Sequence, residues 1–172
     1  MTAFALACLL QVWEPPTPPG AGTPQSLRPE HQGFTMRLEL GVGDALIGSS
    51  RGTGGTSGVG LGGLNALFGW FLRPELVVAL KIDLYISELA NYATFGPVLQ
   101  YWLGEDFTVM GGIGVGTGNA NVDNGFAFIL GATWNAWKPA PMHVVGAYVD
   151  VTPVFSDPKV VVIQGGIGWQ FF

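Results

Sequence analysis

The sequence predicts an all-β fold, a closed antiparallel eight-stranded up-and-down transmembrane β-barrel, and three observations predict it. Charged residues make up only 11% of the 172 residues, against about 25% in an ordinary soluble domain. No run approaches the ~20 apolar residues that a spanning helix needs; the longest, Phe126 to Trp137, is broken by Gly131, Thr133 and Asn135. Apolar and polar residues instead alternate in segments of about ten, the period of a strand and the length at which a tilted strand crosses a bilayer.

Two segments precede the predicted barrel. Residues 1–13 contain an apolar run, Ala3 to Gln11, that resembles the hydrophobic part of a secretory signal but has no Lys or Arg before it. Cys8 within that run faintly resembles a lipid-attachment site and reads as an incidental cysteine. Residues 14–32, beginning Glu14-Pro15-Pro16-Thr17-Pro18-Pro19-Gly20, are rich in Pro, Gly and polar side chains and predict a disordered linker. The barrel is expected over 33–172.

The first strand is the clearest. From Phe34 to Gly43 every even position is apolar and every odd one is polar or glycine, so all the apolar side chains share one face. The second strand is expected over about Val59 to Leu72, the third over Leu76 to Tyr85, with Arg73-Pro74-Glu75 between them. The fourth, Ala93 to Leu103, meets the fifth, Phe107 to Gly116, at Gly104-Glu105-Asp106. The sixth, Gly125 to Trp137, meets the seventh, His143 to Phe155, through residues 138–142, and the eighth runs from Val160 to the end. These short connections suit one end of a barrel. The other end takes Asp44 to Gly58, Ile86 to Tyr92, Thr117 to Asn124 and Ser156 to Lys159. A chain that starts and finishes at the same end has an even number of strands.

Charge and tryptophan assign the faces. Arg37, Glu39, Lys81, Asp83 and Asp150 lie inside predicted strands, always opposite in parity to apolar neighbours such as Leu38, Leu80, Ile82 and Val149. A water-facing surface needs roughly 25–35% charged residues, so five charges on a whole face are too few for a soluble barrel. They suit a narrow lumen filled by side chains, where Gln100, Asn135, Tyr148 and Gln164 are expected to join them. Trp70, Trp102, Trp134, Trp137 and Trp169 fall near the short turns or the C-terminus and predict an interfacial girdle. Tyr92, Phe95, Phe126 and Phe155 are expected to form a second girdle at the opposite end.

Several possible sites carry little. Gly58 to Gly63 fits the spacing G-x-G-x-x-G, but a nucleotide fingerprint needs a preceding strand and a following helix, and here a loop precedes and a strand follows. Asn119 to Gly125 offers alternate oxygen donors but has Asn124 and Leu130 where a calcium loop needs its glycine and its acid. His31 lies in the linker, and His143, with no serine spaced to it, reads as an interfacial side chain. Glu39, Asp83 and Asp150 as an acid–base set are set below paired lumen charges. No catalytic residue, metal or cofactor is expected. The net charge of −5 without a basic cluster speaks against a nucleic-acid partner.

The chain ends Ile163-Gln164-Gly165-Gly166-Ile167-Gly168-Trp169-Gln170-Phe171-Phe172. This resembles the C-terminal assembly signal of Gram-negative outer-membrane proteins, carried here by Ile167, Trp169, Phe171 and Phe172, although the in-phase aromatic is the penultimate residue. As a pattern, residues 33–172 are similar to small OmpA/OmpX-type barrels. The resemblance implies a bacterial outer-membrane protein whose partners are outer-membrane lipids and, during biogenesis, the barrel-assembly machinery. It implies a structural or surface-interaction role with an unspecified surface partner. A lipid-modifying barrel enzyme and a soluble lipocalin-like binder of apolar ligands are the alternatives.

Overall fold

The computed structural model describes residues 32–48, 56–87, 91–118, 123–140 and 142–172. The signal-like run, Cys8, His31 and most of the linker lie outside them. Among the described residues nine strands form one antiparallel sheet: β1 (Phe34–Ile47), β2 (Thr56–Gly62), β3 (Leu64–Arg73), β4 (Leu76–Ile86), β5 (Asn91–Trp102), β6 (Phe107–Gly118), β7 (Gly125–Ala140), β8 (His143–Phe155) and β9 (Val160–Phe171). β2 and β3 each pair with β1 and with β4, the strands from β4 to β9 each pair with the next in the sequence, and β1 closes the ring on β9 from Met36↔Phe171 to Ile47↔Val160. Closure leaves every spanning strand with a partner on both sides, which a lipid environment demands because it offers no water to an unpaired peptide.

The strand count differs from the prediction while the number of staves does not. The single second strand expected over Val59 to Leu72 is two, β2 and β3, separated at Gly63. Both pair with β1 and both pair with β4, so they are successive halves of one stave. Gly63 has φ of +94°, a conformation that side-chain-bearing residues rarely adopt. A Cβ there would also collide with the Tyr148 hydroxyl, so a side chain is refused twice over. The remaining strands follow the alternation, most of them one to four residues longer than expected at the loop end.

Two bulges shape the turn end of β7, with register shifts at Trp134/Trp137 and Trp137/Ala140. They invert the parity of the strand's last turn. Asn135 is buried, yet Trp137, two residues on and nominally on the same face, is exposed on the outer wall.

Candidate functional site in the barrel interior

The inward residues fall into three layers. At the turn end Leu67, Phe71, Val77, Val98, Trp102, Met110, Ile129 and Phe172 form one apolar cluster. At the loop end Ala45, Tyr85, Tyr92, Ala127, Val154, Val160 and Val162 form another. Between them lies a polar belt in which Arg37, Glu39, Lys81, Asp83 and Asp150 are each at most 4% exposed.

Lys81 is the hub of the belt. Its Nζ lies 3.3 Å from Glu39 Oε2 and 3.2 Å from Asp83 Oδ1, and it also pairs with Asp150. Arg37 Nε lies 2.8 Å from Glu39 Oε1, and the same guanidinium donates to the Thr133 hydroxyl. Asn65 donates to Glu39 Oε2 at 3.2 Å and to Gln164 Oε1 at 2.8 Å, while its own oxygen accepts the Leu84 amide. Thr94 donates to Asp83 Oδ2 at 3.2 Å. Nearer the turn end Gln100 donates to Gln170 Oε1 at 3.1 Å, and Gln170 donates to Thr35 Oγ1 at 2.9 Å.

This wiring explains how ionised groups sit in so dry a place. Removing a charge from water costs several kcal/mol, offset only when partners and further hydrogen bonds meet it in good geometry. Carboxylate oxygens of Glu39, Asp83 and Asp150 lie within 4.8 Å of one another, a spacing that suits a metal ion. The Lys81 ammonium already contacts all three, so the carboxylates form the shell of a protein cation.

The structure brings together all nine residues named for the lumen: Arg37, Glu39, Lys81, Asp83, Gln100, Asn135, Tyr148, Asp150 and Gln164 are buried on the inner face. Thr35, Asn65, Thr94, Thr133 and Gln170 are buried with them. Gln170 has the inward parity of Gln164, and Thr35, Thr94 and Thr133 have the parity of Arg37, Gln100 and Asn135 on their own strands, while no polar neighbour on β3 marks Asn65. Apolar clusters occupy both ends of the interior, so the polar side chains are concentrated in the belt between them.

Two girdle assignments are corrected. Trp102 is 2% exposed and inside the barrel, edge-to-face with Phe172 at 5.6 Å between centroids. It has the parity of Gln100, and the ladder between β5 and β6 runs through both without a bulge between them, so the two face the same way. Tyr92, of the same parity, is likewise inside. Trp70, Trp134, Trp137 and Trp169 are exposed on the outer wall at the turn end. Phe95, Phe126 and Phe155 are exposed at the loop end, where Phe128 packs between Phe126 at 5.1 Å and Phe155 at 5.8 Å.

Of the assembly-signal residues, Ile167 and Trp169 face outward, while Phe171 packs between Phe34 and His143 on the outer wall. Phe172 turns inward onto Phe71 at 5.7 Å and Trp102. His143 accepts a hydrogen bond from Trp169 Nε1 at 3.2 Å with the two rings stacked. Residues 58–62 of the glycine-rich motif lie in β2, with strand and not helix after Gly63. Asn119 to Val122 of the calcium-like segment lie outside the described residues.

The outer wall is apolar along its length. Leu38, Leu40, Val42, Phe68, Leu80, Leu99, Ile113, Leu130, Val149 and Ile167 are all exposed on it. A water-soluble protein rarely presents such a continuous apolar surface; acyl chains match it.

Solved structures share this architecture. The attachment invasion locus protein of Yersinia pestis superposes with a TM-score of 0.57, covering 81% of this chain and 99% of its own at 15% identity. Neisserial surface protein A superposes with a TM-score of 0.56, covering 80% and 96% at 11% identity. The fold is that of the small outer-membrane β-barrels. No protein-family model and no curated protein matches the chain by sequence. At these identities the likeness establishes the fold alone. The interior chemistry of this barrel is read from its own residues.

Proposed function

We propose that this outer-membrane barrel is a sealed scaffold with a structural or surface-interaction role, its interior a packed core and its loops the working surface. The observation that supports this most is the layering of the interior. An eight-stranded barrel is only about wide enough for side chains to fill, and here a wired charge belt lies between two apolar clusters. On this reading the Trp-rich turn end faces the periplasm and the loop end faces outward, as short periplasmic turns and longer outer loops usually do. Ile167, Trp169, Phe171 and Phe172 would present the assembly signal, and the apolar wall would contact outer-membrane lipids.

The reading is non-enzymatic. His143 is engaged by Trp169 on the outer wall at the turn end, and no hydroxyl hydrogen-bonds to it among the described residues. The carboxylates of the acid–base alternative, Glu39, Asp83 and Asp150, are committed to Lys81 and Arg37.

One of the solved Yersinia pestis structures is a complex with the heparin analogue sucrose octasulfate, with a TM-score of 0.53. The loop-end segments of this chain carry Arg51 and Lys159 against Asp44, Glu88, Asp123 and Asp157. That balance does not favour a sulfated polyanion, so the surface partner expected here is of another chemistry.

Conductance tests the proposal. Purified protein in planar bilayers is expected to give no stable single-channel current. Steady, reproducible steps would overturn the sealed scaffold and favour a porin.

A further inference from the structure

The charge belt is out of balance. Arg37 and Lys81 supply two positive charges, while Glu39, Asp83 and Asp150 supply three negative ones, all buried. A net negative charge in a dry interior is costly and is relieved either by a proton on one carboxylate or by a counter-ion.

A small cavity lies beside the belt on its loop-end side. It holds about 10 Å³, and its lining includes Asp83, Thr94, Thr152, Gln164, Tyr85 and Tyr92. That is close to the ~10–15 Å³ that one water-sized particle requires. Asp83 links cavity and belt, since Oδ1 faces Lys81 while Oδ2 accepts from Thr94. Having given its hydrogen to Asp83, the Thr94 hydroxyl keeps its lone pairs for another partner. Thr152 is 4% exposed and lines the same cavity, and the Tyr92 hydroxyl, which also lines it, is buried with no hydrogen-bond partner among the described residues. A buried hydroxyl without a partner calls for an explanation.

We propose that this cavity is a binding site for one dehydrated monovalent alkali cation, held by the Asp83 carboxylate and the Thr94 and Thr152 hydroxyl oxygens. Hard cations take oxygen ligands of this kind. A single positive charge brings the belt to neutrality, which a water molecule would not do. A divalent ion would overshoot, and the space admits no hydration shell for one. This is a structural ion of the packed interior, distinct from Lys81, which occupies the centre of the carboxylate group itself.

The test is to refold the purified barrel into detergent in sodium, potassium or choline chloride at equal ionic strength and compare thermal midpoints. An ion that binds only the folded state raises the midpoint by mass action. At least one alkali salt is expected to exceed choline by about 3 °C or more. Thr152→Val, which keeps the shape of the side chain and removes its oxygen, is expected to shrink that difference, and Asp83→Asn to abolish it. Crystals grown with thallium(I) should then show one anomalous peak between Asp83 and Thr152. Equal midpoints of the wild-type barrel in all three salts, or no peak at that position, overturn the proposal and leave the cavity to water.

Discussion

Replacing Lys81 by Met is the sharpest perturbation of the interior. Lys81 is fully buried and touches Glu39 at 3.3 Å, Asp83 at 3.2 Å and also Asp150. The substitution preserves much of the side chain's length and apolar stem, so a cavity is not the main effect. Instead the belt passes from two cations against three carboxylates to Arg37 alone against the same three. Among the described residues Asp83 keeps only the Thr94 hydroxyl, and Asp150 loses its ammonium. Stripping one member from a buried ionic group costs about 3–5 kcal/mol, because the remaining charge stays in place without its partner. Lys159, exposed at the loop end, provides the control; surface substitutions of its kind stay within about 0.5 kcal/mol. Urea unfolding in lipid vesicles, followed by tryptophan fluorescence, measures both. A Lys81→Met loss within about 0.5 kcal/mol of the Lys159→Met value would refute the reasoning, since it would mean that water already screens the belt.

Three further expectations follow from single features of the barrel. Trp102→Ala should cost about 3–5 kcal/mol, as for any large aromatic removed from a core, and brominated lipids should quench Trp70, Trp134, Trp137 and Trp169 but spare Trp102; bromine quenching of Trp102 would place it back on the outer wall. Gly63→Ala should destabilise by roughly 1–3 kcal/mol because of its positive φ, and adding Tyr148→Phe should recover the part due to the hydroxyl collision, whereas a single variant as stable as wild type would remove the reason for the β2/β3 break. On intact cells a membrane-impermeant thiol reagent should label Lys159→Cys and not Asp106→Cys, and the opposite pattern would invert the orientation.

Much of this fold was legible because a closed barrel imposes one rule, alternation, on every stave. Arg37, Glu39, Lys81, Asp83 and Asp150 marked the inner face by parity alone, and the ring closes on the expected strands. What escaped the sequence reading lies where parity competes with another signal. Trp102 sits near a turn, as girdle tryptophans do, yet Gln100 two residues earlier fixes it inward; the local rule outranks the residue's preference for the headgroup layer. Trp137 shows the reverse, for parity with Asn135 would bury it and a bulge invisible in the sequence turns it out. The break at Gly63 had no sequence mark beyond one glycine among many. The apolar ends of the interior were hidden for a different reason: Val77, Ile129 and Val160 are apolar whichever way they face, so nothing distinguishes them from lipid-facing residues until register is known. Thr94 could have been found by extending the parity of Gln100 along its strand, whereas β3 offers Asn65 no inward charged or amide companion to mark it.

The central claim is that one face of each strand meets lipid while the other is packed shut. A nitroxide scan along β4, from Leu76 to Ile86, in bilayers tests it most directly, reading accessibility to oxygen and to a water-soluble nickel chelate at every position. The account predicts a period of two, with Val78, Leu80 and Leu84 differing from their neighbours as follows: high oxygen accessibility at Val78 and Leu80, which are exposed on the outer wall, and low accessibility to both reagents at Val77, Ala79 and Asp83, which are buried. Nickel reaching Val77, Ala79 and Asp83 would contradict it by revealing a water-filled lumen, and loss of the period would contradict the barrel itself.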